Sequence, residues 1–237
     1  VYSAYIRSIC GEDSSQWIGP VSFRTTQGTS CTIDVTTNAY VENFNFYTDI
    51  ANGSYRPNSY PNHELPSCWS ILNMSQDPNG QPKVFLTNFS SYAVDGNCLF
   101  LTSDTSKSVY MALPQFTSNI EALRLSFTYR NEGTSEENGT LSLGIMSDPD
   151  DTATFCLLET FAKTTSKTTI EHIFADDTMT GTGYYIAFRY SGGTSNNYYF
   201  SIDNVVVDLA PSCRKPENLS VSNITVNSAQ LDWIERG

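Results

Sequence analysis

Apolar and polar residues alternate along several short segments of this 237-residue chain, and this period of two constrains its fold more than any other feature. In residues 123–130 every odd position is apolar and every even position is polar, which is typical of a strand with one buried face and one wet face. Residues 141–145 and 184–190 repeat the pattern, and Asp, Asn and Gly clusters separate such segments. No stretch shows a sustained helical period. The pattern predicts an all-β fold, a jelly-roll β-sandwich, and disfavours strand–helix–strand architectures.

Charge and composition narrow the partners that we expect. The chain has 13 Lys+Arg against 25 Asp+Glu, a net charge of −12, and no basic cluster. We therefore expect no nucleic-acid partner, because an acidic surface repels phosphates. Aromatic residues make up 13% of the chain, and their burial can offset the entropy cost of folding. We expect no membrane span, since no apolar run approaches the roughly 20 residues that one requires.

Six cysteines are scattered singly along the chain, without the close spacing that a zinc site requires. Their even number permits disulfides, but a domain of this size is stable without them, so disulfides and buried thiols both stay open. The chain begins at Val1, without Met and without the basic and apolar stretches of a secretory signal. We expect a piece of a longer protein.

The two ends resemble parts of fibronectin type III modules. Residues 216–233 carry Pro, then Leu-x-Val, then Ser-Ala-x-Leu-x-Trp, and are similar to the opening of such a module. Residues 2–11 and 14–25 resemble its last two strands. The resemblance implies a C-terminal part of one module at 1–27, a complete domain at 28–212 and an N-terminal part of another module at 213–237. The exposed strand edges of such parts must pair with the central domain, with each other or with a neighbouring molecule.

The central segment resembles the MAM-like jelly rolls of bacterial surface proteins, of the cleaved-adhesin and choice-of-anchor type. The motifs that carry the resemblance are Val41-Glu42-Asn43-Phe44-Asn45, Pro66-Ser67-Cys68-Trp69, residues 123–129, residues 185–190 and residues 200–207. The resemblance implies an extracellular or outer-surface location, neighbouring fibronectin type III domains in the same chain, and a glycan or a host or other extracellular protein as partner.

Jelly rolls of this kind often hold a structural calcium where the first strand meets the last, and Ca²⁺ takes oxygen ligands. Here Glu42, Asn43 and Asn45 lie near the start of the domain, and Asp203 near its end. Asn43 and Asn45 stand where family members often carry acids, which lowers the charge of the site. We expect a structural Ca²⁺ with Glu42, Asn45 and Asp203 as ligands. In the alternative, Asp203 caps a turn or accepts bonds from backbone amides.

The sequence carries no motif for catalysis. A Ser or Cys nucleophile requires a histidine base, and the two histidines, His63 and His172, lie outside known nucleophile motifs; no G-x-S-x-G occurs. We therefore expect a protein that is not an enzyme.

Exposed tyrosines are the candidate ligand-binding residues, because aromatic faces stack on sugars. Two lie in the long irregular stretch at 52–66, whose length is typical of functional loops, and the others lie in or near strands: Tyr55, Tyr60, Tyr185, Tyr198 and Tyr199. The alternative is that they are ordinary sheet tyrosines that pack in cross-strand pairs.

These observations predict a non-enzymatic extracellular adhesion or binding module that contacts a glycan or a host protein through rim loops. Two alternatives stay open: a carbohydrate-targeting module of a secreted hydrolase, and an architectural spacer in a string of fibronectin-type domains.

Overall fold

The computed structural model describes residues 2–11, 13–23, 31–48, 50, 65–75, 82–88, 93–102, 106–131, 139–192, 199–213 and 216–235. The chain begins with four short strands: β1 (Tyr2–Ile6), β2 (Ile9–Cys10), β3 (Asp13–Ser14) and β4 (Ile18–Phe23). The next strands are β5 (Thr32–Ile33), β6 (Tyr40–Glu42), β7 (Ser70–Leu72), β8 (Val84–Thr87), β9 (Cys98–Thr102), β10 (Val109–Ala112) and β11 (Gln115–Phe116).

Longer strands make up the second half of the chain. They are β12 (Leu123–Asn131), β13 (Thr140–Met146), β14 (Cys156–Thr160), β15 (Thr168–Ile173), β16 (Tyr185–Ser191) and β17 (Tyr199–Leu209), followed by β18 (Glu217–Ser222) and β19 (Gln230–Ile234). Single 3-10 turns lie at Ile120–Ala122, Thr152–Thr154 and Phe174–Asp176. None of the helical turns in the described ranges is long and apolar enough to cross a membrane.

Two antiparallel sheets form a β-sandwich. One has five strands in the order β14-β13-β16-β10-β7, and the other has the order β15-β12-β17-β9-β8, with β6 also paired to β17. Successive strands cross repeatedly between the sheets: β12 and β15 belong to the second sheet, and β13, β14 and β16 to the first. The all-β sandwich prediction is confirmed.

The alternating pattern produces the core directly. From Leu123 to Arg130 of β12 the apolar positions are buried and the polar positions half-buried, in strict alternation. Phe127 of this strand meets Phe188 of β16 across the sandwich, with ring centroids 4.8 Å apart. Trp69 also stacks on Phe188, with ring centroids 6.5 Å apart. The two inner faces therefore interdigitate through aromatic side chains, the arrangement by which such sandwiches close.

The end segments form hairpins that pair with neither main sheet in the described residues: β1 pairs with β4, β2 with β3, and β18 with β19. In the β18–β19 hairpin Val221 lies opposite Leu231, and apolar side chains stay open to solvent, with Leu219 at 70% and Trp233 at 51% exposure. The hairpins agree with the predicted strand positions, and the fibronectin type III assignment and the division at 27/28 and 212/213 stay predictions.

The cysteines show both of the states that the sequence left open. Cys31 and Cys68 form a disulfide, while Cys98 is a buried free thiol and Cys156 and Cys213 are exposed free thiols. Burial raises the pKa of the Cys98 thiol to about 12, helped by the charge of Asp203. The thiolate is the reactive form, so Cys98 is chemically inert at neutral pH.

Candidate functional site

The structure brings the predicted cation ligands together where β6 and β9 meet the same side of β17. Glu42 ends β6, and its carboxylate accepts bonds from the backbone N–H of Phe44 (2.7 Å) and the hydroxyl of Tyr47 (3.0 Å). Asn45 lies in the following turn, and its Oδ1 accepts from the backbone N–H of Asn97 at 2.7 Å. The turn before β9 is thus fastened to the turn after β6.

Asp203 of β17 lies beneath these two turns and is 0% exposed. Its carboxylate accepts from the backbone N–H of Asn204 at 2.6 Å and of Asp95 at 3.0 Å. Burial raises the pKa of Asp203 to about 7, the two backbone bonds oppose the rise, and the charges of Asp95 and Glu42 add to it. Asp203 is therefore a buried carboxylate near two others, an arrangement that a cation stabilises.

The oxygen donors at this junction partly fit a calcium ion. Carboxylate and amide oxygens are the ligands that Ca²⁺ prefers, and Glu42, Asn45 and Asp203 supply both kinds. The oxygens also accept backbone bonds, as the alternative for Asp203 expects. In the described part of the chain no group of three or more acidic, His or Cys side chains has a spacing that could hold a metal. A calcium here would depend on amide and backbone oxygens beside Asp203.

The five-stranded sheet has an outer face that points away from the core, and Arg189 stands in its middle. In register, Arg189 of β16 lies opposite Tyr110 of β10 on one side and Ser142 of β13 on the other. Its neighbours in sequence, Phe188 and Tyr190, are buried in the core. Arg189 and Tyr110 are both only partly buried. The Arg189 guanidinium and the Tyr110 phenol thus lie side by side on the outer face, in what we call the Arg189 row.

A row of small side chains lies next to the Arg189 row. Ala187 pairs with Ala112 on one side and Gly144 on the other. Tyr185 and Met146, paired with each other, form the row beyond. The Tyr185 ring packs against this buried Ala–Met cluster and stays partly exposed. Large side chains in the two flanking rows thus border the row of Ala112, Ala187 and Gly144, which we call the low row.

Phe155 covers one end of the low row. A Cβ built on Gly144 would lie 2.5 Å from the Phe155 ring, so the ring rests directly on the glycine. Tyr110 meets Phe155 edge-on with centroids 5.4 Å apart, and the Arg189 guanidinium lies over the Phe155 ring at 5.1 Å. We call Tyr110, Phe155, Tyr185 and Arg189 the aromatic platform.

Short-range hydrogen bonds in the loop before Phe155 turn the chain back towards the sheet. Asp148 Oδ1 accepts from the N–H of Asp150, and Asp151 caps the following 3-10 turn by accepting from the N–H of Ala153, both at 2.9 Å. The Thr154 hydroxyl lies 2.8 Å from the Asp151 carbonyl oxygen. Asp side chains favour such local bonds, and here they end the turn with Phe155 above the outer face.

The tyrosines predicted to bind a ligand differ in their exposure. Tyr185 lies on the platform. Tyr199 is 5% exposed and stacks on Phe100 with centroids 5.1 Å apart, so the prediction that it offers a surface for stacking is corrected: its strand position packs it against the outer side of β9. Tyr55, Tyr60 and Tyr198 lie outside the described residues, as does His63.

His172 bridges the edges of the two sheets. Its Nδ1 lies 3.0 Å from Glu159 of β14, and its Nε2 lies 2.9 Å from Asp177. Both ring nitrogens thus face carboxylates, and the ring meets Phe174 edge-on. These contacts describe a histidine that joins β14 to β15, a packing role.

Sequence reasoning missed Tyr110, Phe155 and Arg189 on the platform. It also missed Asp95 and Asn97, which bond to Asp203 and Asn45. Alternation could have found Tyr110 and Arg189, because each stands between residues of the buried face. Phe155 follows a loop, where no period assigns a face. The turn that holds Asp95 had no sequence signal that linked it to Asp203.

No protein-family model matches the chain, and no curated protein matches it. Among solved structures, the chain is similar to the K1 cleaved adhesin domain of Lys-gingipain from Porphyromonas gingivalis W83, with 15% identity, a TM-score of 0.48, and coverage of 73% of this chain and 99% of that one. For the K2 cleaved adhesin domain of Lys-gingipain the values are 12%, 0.48, 73% and 98%. For a family 11 carbohydrate-binding module from Clostridium thermocellum, in complex with a mixed-linked tetrasaccharide, they are 15%, 0.39, 61% and 91%.

Proposed function

We propose that this protein is a non-enzymatic extracellular binding module whose aromatic platform binds a glycan. The observation that carries the proposal is the platform itself: the rings of Tyr110, Phe155 and Tyr185 and the Arg189 guanidinium stand on one partly exposed sheet face. Aromatic faces stack on the apolar faces of sugar rings, and polar groups between them orient the hydroxyls. Binding rather than catalysis is favoured because the platform carries no carboxylate pair and no nucleophile with its base.

The location rests on the disulfide between Cys31 and Cys68. Disulfides persist in oxidising compartments and are rare in the cytosol, so an extracellular or outer-surface site suits the chain. The open apolar faces of the end hairpins support neighbouring fibronectin-type modules as their cover.

Binding to a glycan array tests the proposal. We expect Tyr110→Ala and Tyr185→Ala to weaken binding about tenfold each, since a lost stacking contact costs on the order of 1 kcal/mol or more. Tyr5→Ala, at an exposed tyrosine of the first hairpin, is the matched control and leaves affinity unchanged.

Two further variants separate the platform from the rim loop. If Tyr55→Ala and Tyr60→Ala abolish binding while the platform variants retain it, the rim loop is the site and the platform proposal is wrong.

A folded protein that binds no glycan on the array, but binds an extracellular protein, contradicts glycan recognition. An absence of any ligand leaves the spacer function. A catalytic domain in the full-length parent would identify a carbohydrate-targeting module.

We also propose that a structural Ca²⁺ binds at the junction of Glu42, Asn45 and Asp203. The raised pKa of the buried Asp203 carboxyl supports it. A ligand that binds only the folded state stabilises it by about 2.7 kcal/mol at a concentration a hundredfold above Kd. The melting temperature should therefore rise with excess Ca²⁺ and fall with chelator, and Asp203→Ala should abolish the difference. Equal melting temperatures in Ca²⁺ and chelator for the wild type would contradict the proposal.

A further inference from the structure

The charge of Arg189 distinguishes the platform from a purely aromatic sugar surface. The chain has a net charge of −12, yet this guanidinium stands in the middle of the outer face with no ion pair among the described residues. Arg124, the comparable arginine on the outer face of the other sheet, is paired with both Asp208 and Glu171. No acidic side chain among the described residues therefore neutralises the positive charge of Arg189.

The guanidinium is also incompletely hydrogen-bonded. Its Nε is shielded from solvent and has no acceptor in the described structure. A shielded N–H without an acceptor carries a desolvation cost. Phe155 holds one face of the guanidinium, which limits its rotation and pre-organises the donors.

We propose that the platform selects saccharides that carry a carboxylate, such as uronic or sialic acids; this inference rests on the proposed glycan-binding function. The guanidinium fork matches the two oxygens of a carboxylate and forms charge-assisted bonds with them. The sugar ring that bears the carboxylate lies against Tyr110 and Phe155, whose rings border the guanidinium. Tyr185 contacts the next sugar across the low row of Ala187 and Ala112.

Calorimetric titration with matched ligands tests the inference. The probes are an oligogalacturonide against the same oligosaccharide with its carboxylates reduced to alcohols, and sialyllactose against lactose. In at least one pair the wild type should bind the acidic member about tenfold or more tightly, the range for hydrogen bonds to charged groups. Added salt should weaken only the acidic member.

Variants assign the preference to its residue. Arg189→Gln should remove the preference for the acidic member, and Arg189→Lys should retain part of it, since it keeps the charge and loses the fork. Arg124→Gln removes the same charge from the opposite sheet and should leave the preference intact. Thermal melts of each variant establish that it is folded, and the wild-type comparison with reduced ligand requires no variant.

The outcomes separate this inference from the function on which it rests. Equal affinity for acidic and neutral members overturns carboxylate selection and leaves glycan binding standing. A preference that persists in folded Arg189→Gln overturns the assignment to Arg189. Binding to no saccharide at all overturns both.

Discussion

Asp203 shows how a single residue depends on its surroundings. The side chain is fully buried and accepts two backbone bonds, which favour its charged form, yet burial dominates and raises its pKa to about 7. Since an unfolded aspartate titrates near pH 3.9, the folded state binds a proton that the unfolded state releases between about pH 4 and 7. The stabilisation from this proton is complete below pH 4 and is lost as pH rises through 7.

In chelator, the free energy of unfolding of the wild type should therefore fall between pH 4 and pH 7, relative to Asp203→Asn, by up to about 4 kcal/mol. Urea titrations at a series of pH values measure the difference. Asp208→Asn, the same change in the same strand at a residue paired with Arg124, is the control and should parallel the wild type. Parallel curves for wild type and Asp203→Asn would show that the carboxyl stays ionised in the folded protein.

At the scale of elements, the contact between β13, β14 and the loop before β14 depends on one glycine. A Cβ on Gly144 would lie 2.4 Å from the Cys156 carbonyl oxygen and 2.5 Å from the Phe155 ring. Real Cβ atoms do not approach other atoms so closely, so a side chain here must push β14 away and lift Phe155. The glycine therefore sets both the strand spacing and the height of the platform.

We expect Gly144→Ala to destabilise the fold by about 1–3 kcal/mol, as overpacking does, and to weaken glycan binding because Phe155 leaves its place over the sheet. Denaturant unfolding and calorimetry measure the two effects. Ser142→Ala, on the same face of the same strand, adds no volume and removes the hydroxyl that lies 3.3 Å from Thr160 Oγ1, so it controls for a change in this strand without overpacking. A Gly144→Ala protein with unchanged stability would mean that β14 moves aside freely.

At the scale of the whole molecule, one covalent link supplements the packed core. The Cys31–Cys68 disulfide joins residues 37 apart in sequence and ties the segment before β5 to the segment before β7. Trp69, next to Cys68, is buried against Phe44 and Phe188. The link therefore fixes the entry to the core at a buried tryptophan.

Replacing both cysteines by serine should lower the free energy of unfolding by roughly 2–4 kcal/mol, since closing a loop of this length restricts the unfolded chain. Urea denaturation of the double variant measures this loss, and reducing agent should reproduce it in the wild type. Cys213→Ser, at an exposed free thiol, should leave the midpoint unchanged. Equal midpoints for wild type and double variant would show that the core alone holds this segment.

Much of the fold could be predicted because alternation assigns each residue of a strand to a face. Residues 123–130 and 184–190 became β12 and β16 with the expected buried sides. A single 3-10 turn at Ile120–Ala122 passes directly into β12, whose alternation begins at Leu123. The order of apolar and polar residues within each segment determines these features, so each could be predicted from its own segment of the sequence.

The candidate sites were only partly predictable for the same reason. Glu42, Asn45 and Asp203 were expected together, and the structure adds Asp95 and Asn97, because the turn before β9 reaches β17 through long-range pairing. Tyr199 is on a strand as expected, but its neighbours Phe85 and Phe100 bury it. Alternation with a period of two predicts which face of the strand a residue occupies. It does not predict which residues pack over that face.

By itself, the sequence determined the all-β class, the core strands β12, β13 and β16 and the net negative charge, because alternation and charge are local properties of the chain. Only the tertiary structure decided that Phe155 lies on Gly144 beneath Arg189, and that Asp203 lies under two turns distant in sequence. Strand order and register bring these groups together, and both depend on pairing between strands far apart in the chain.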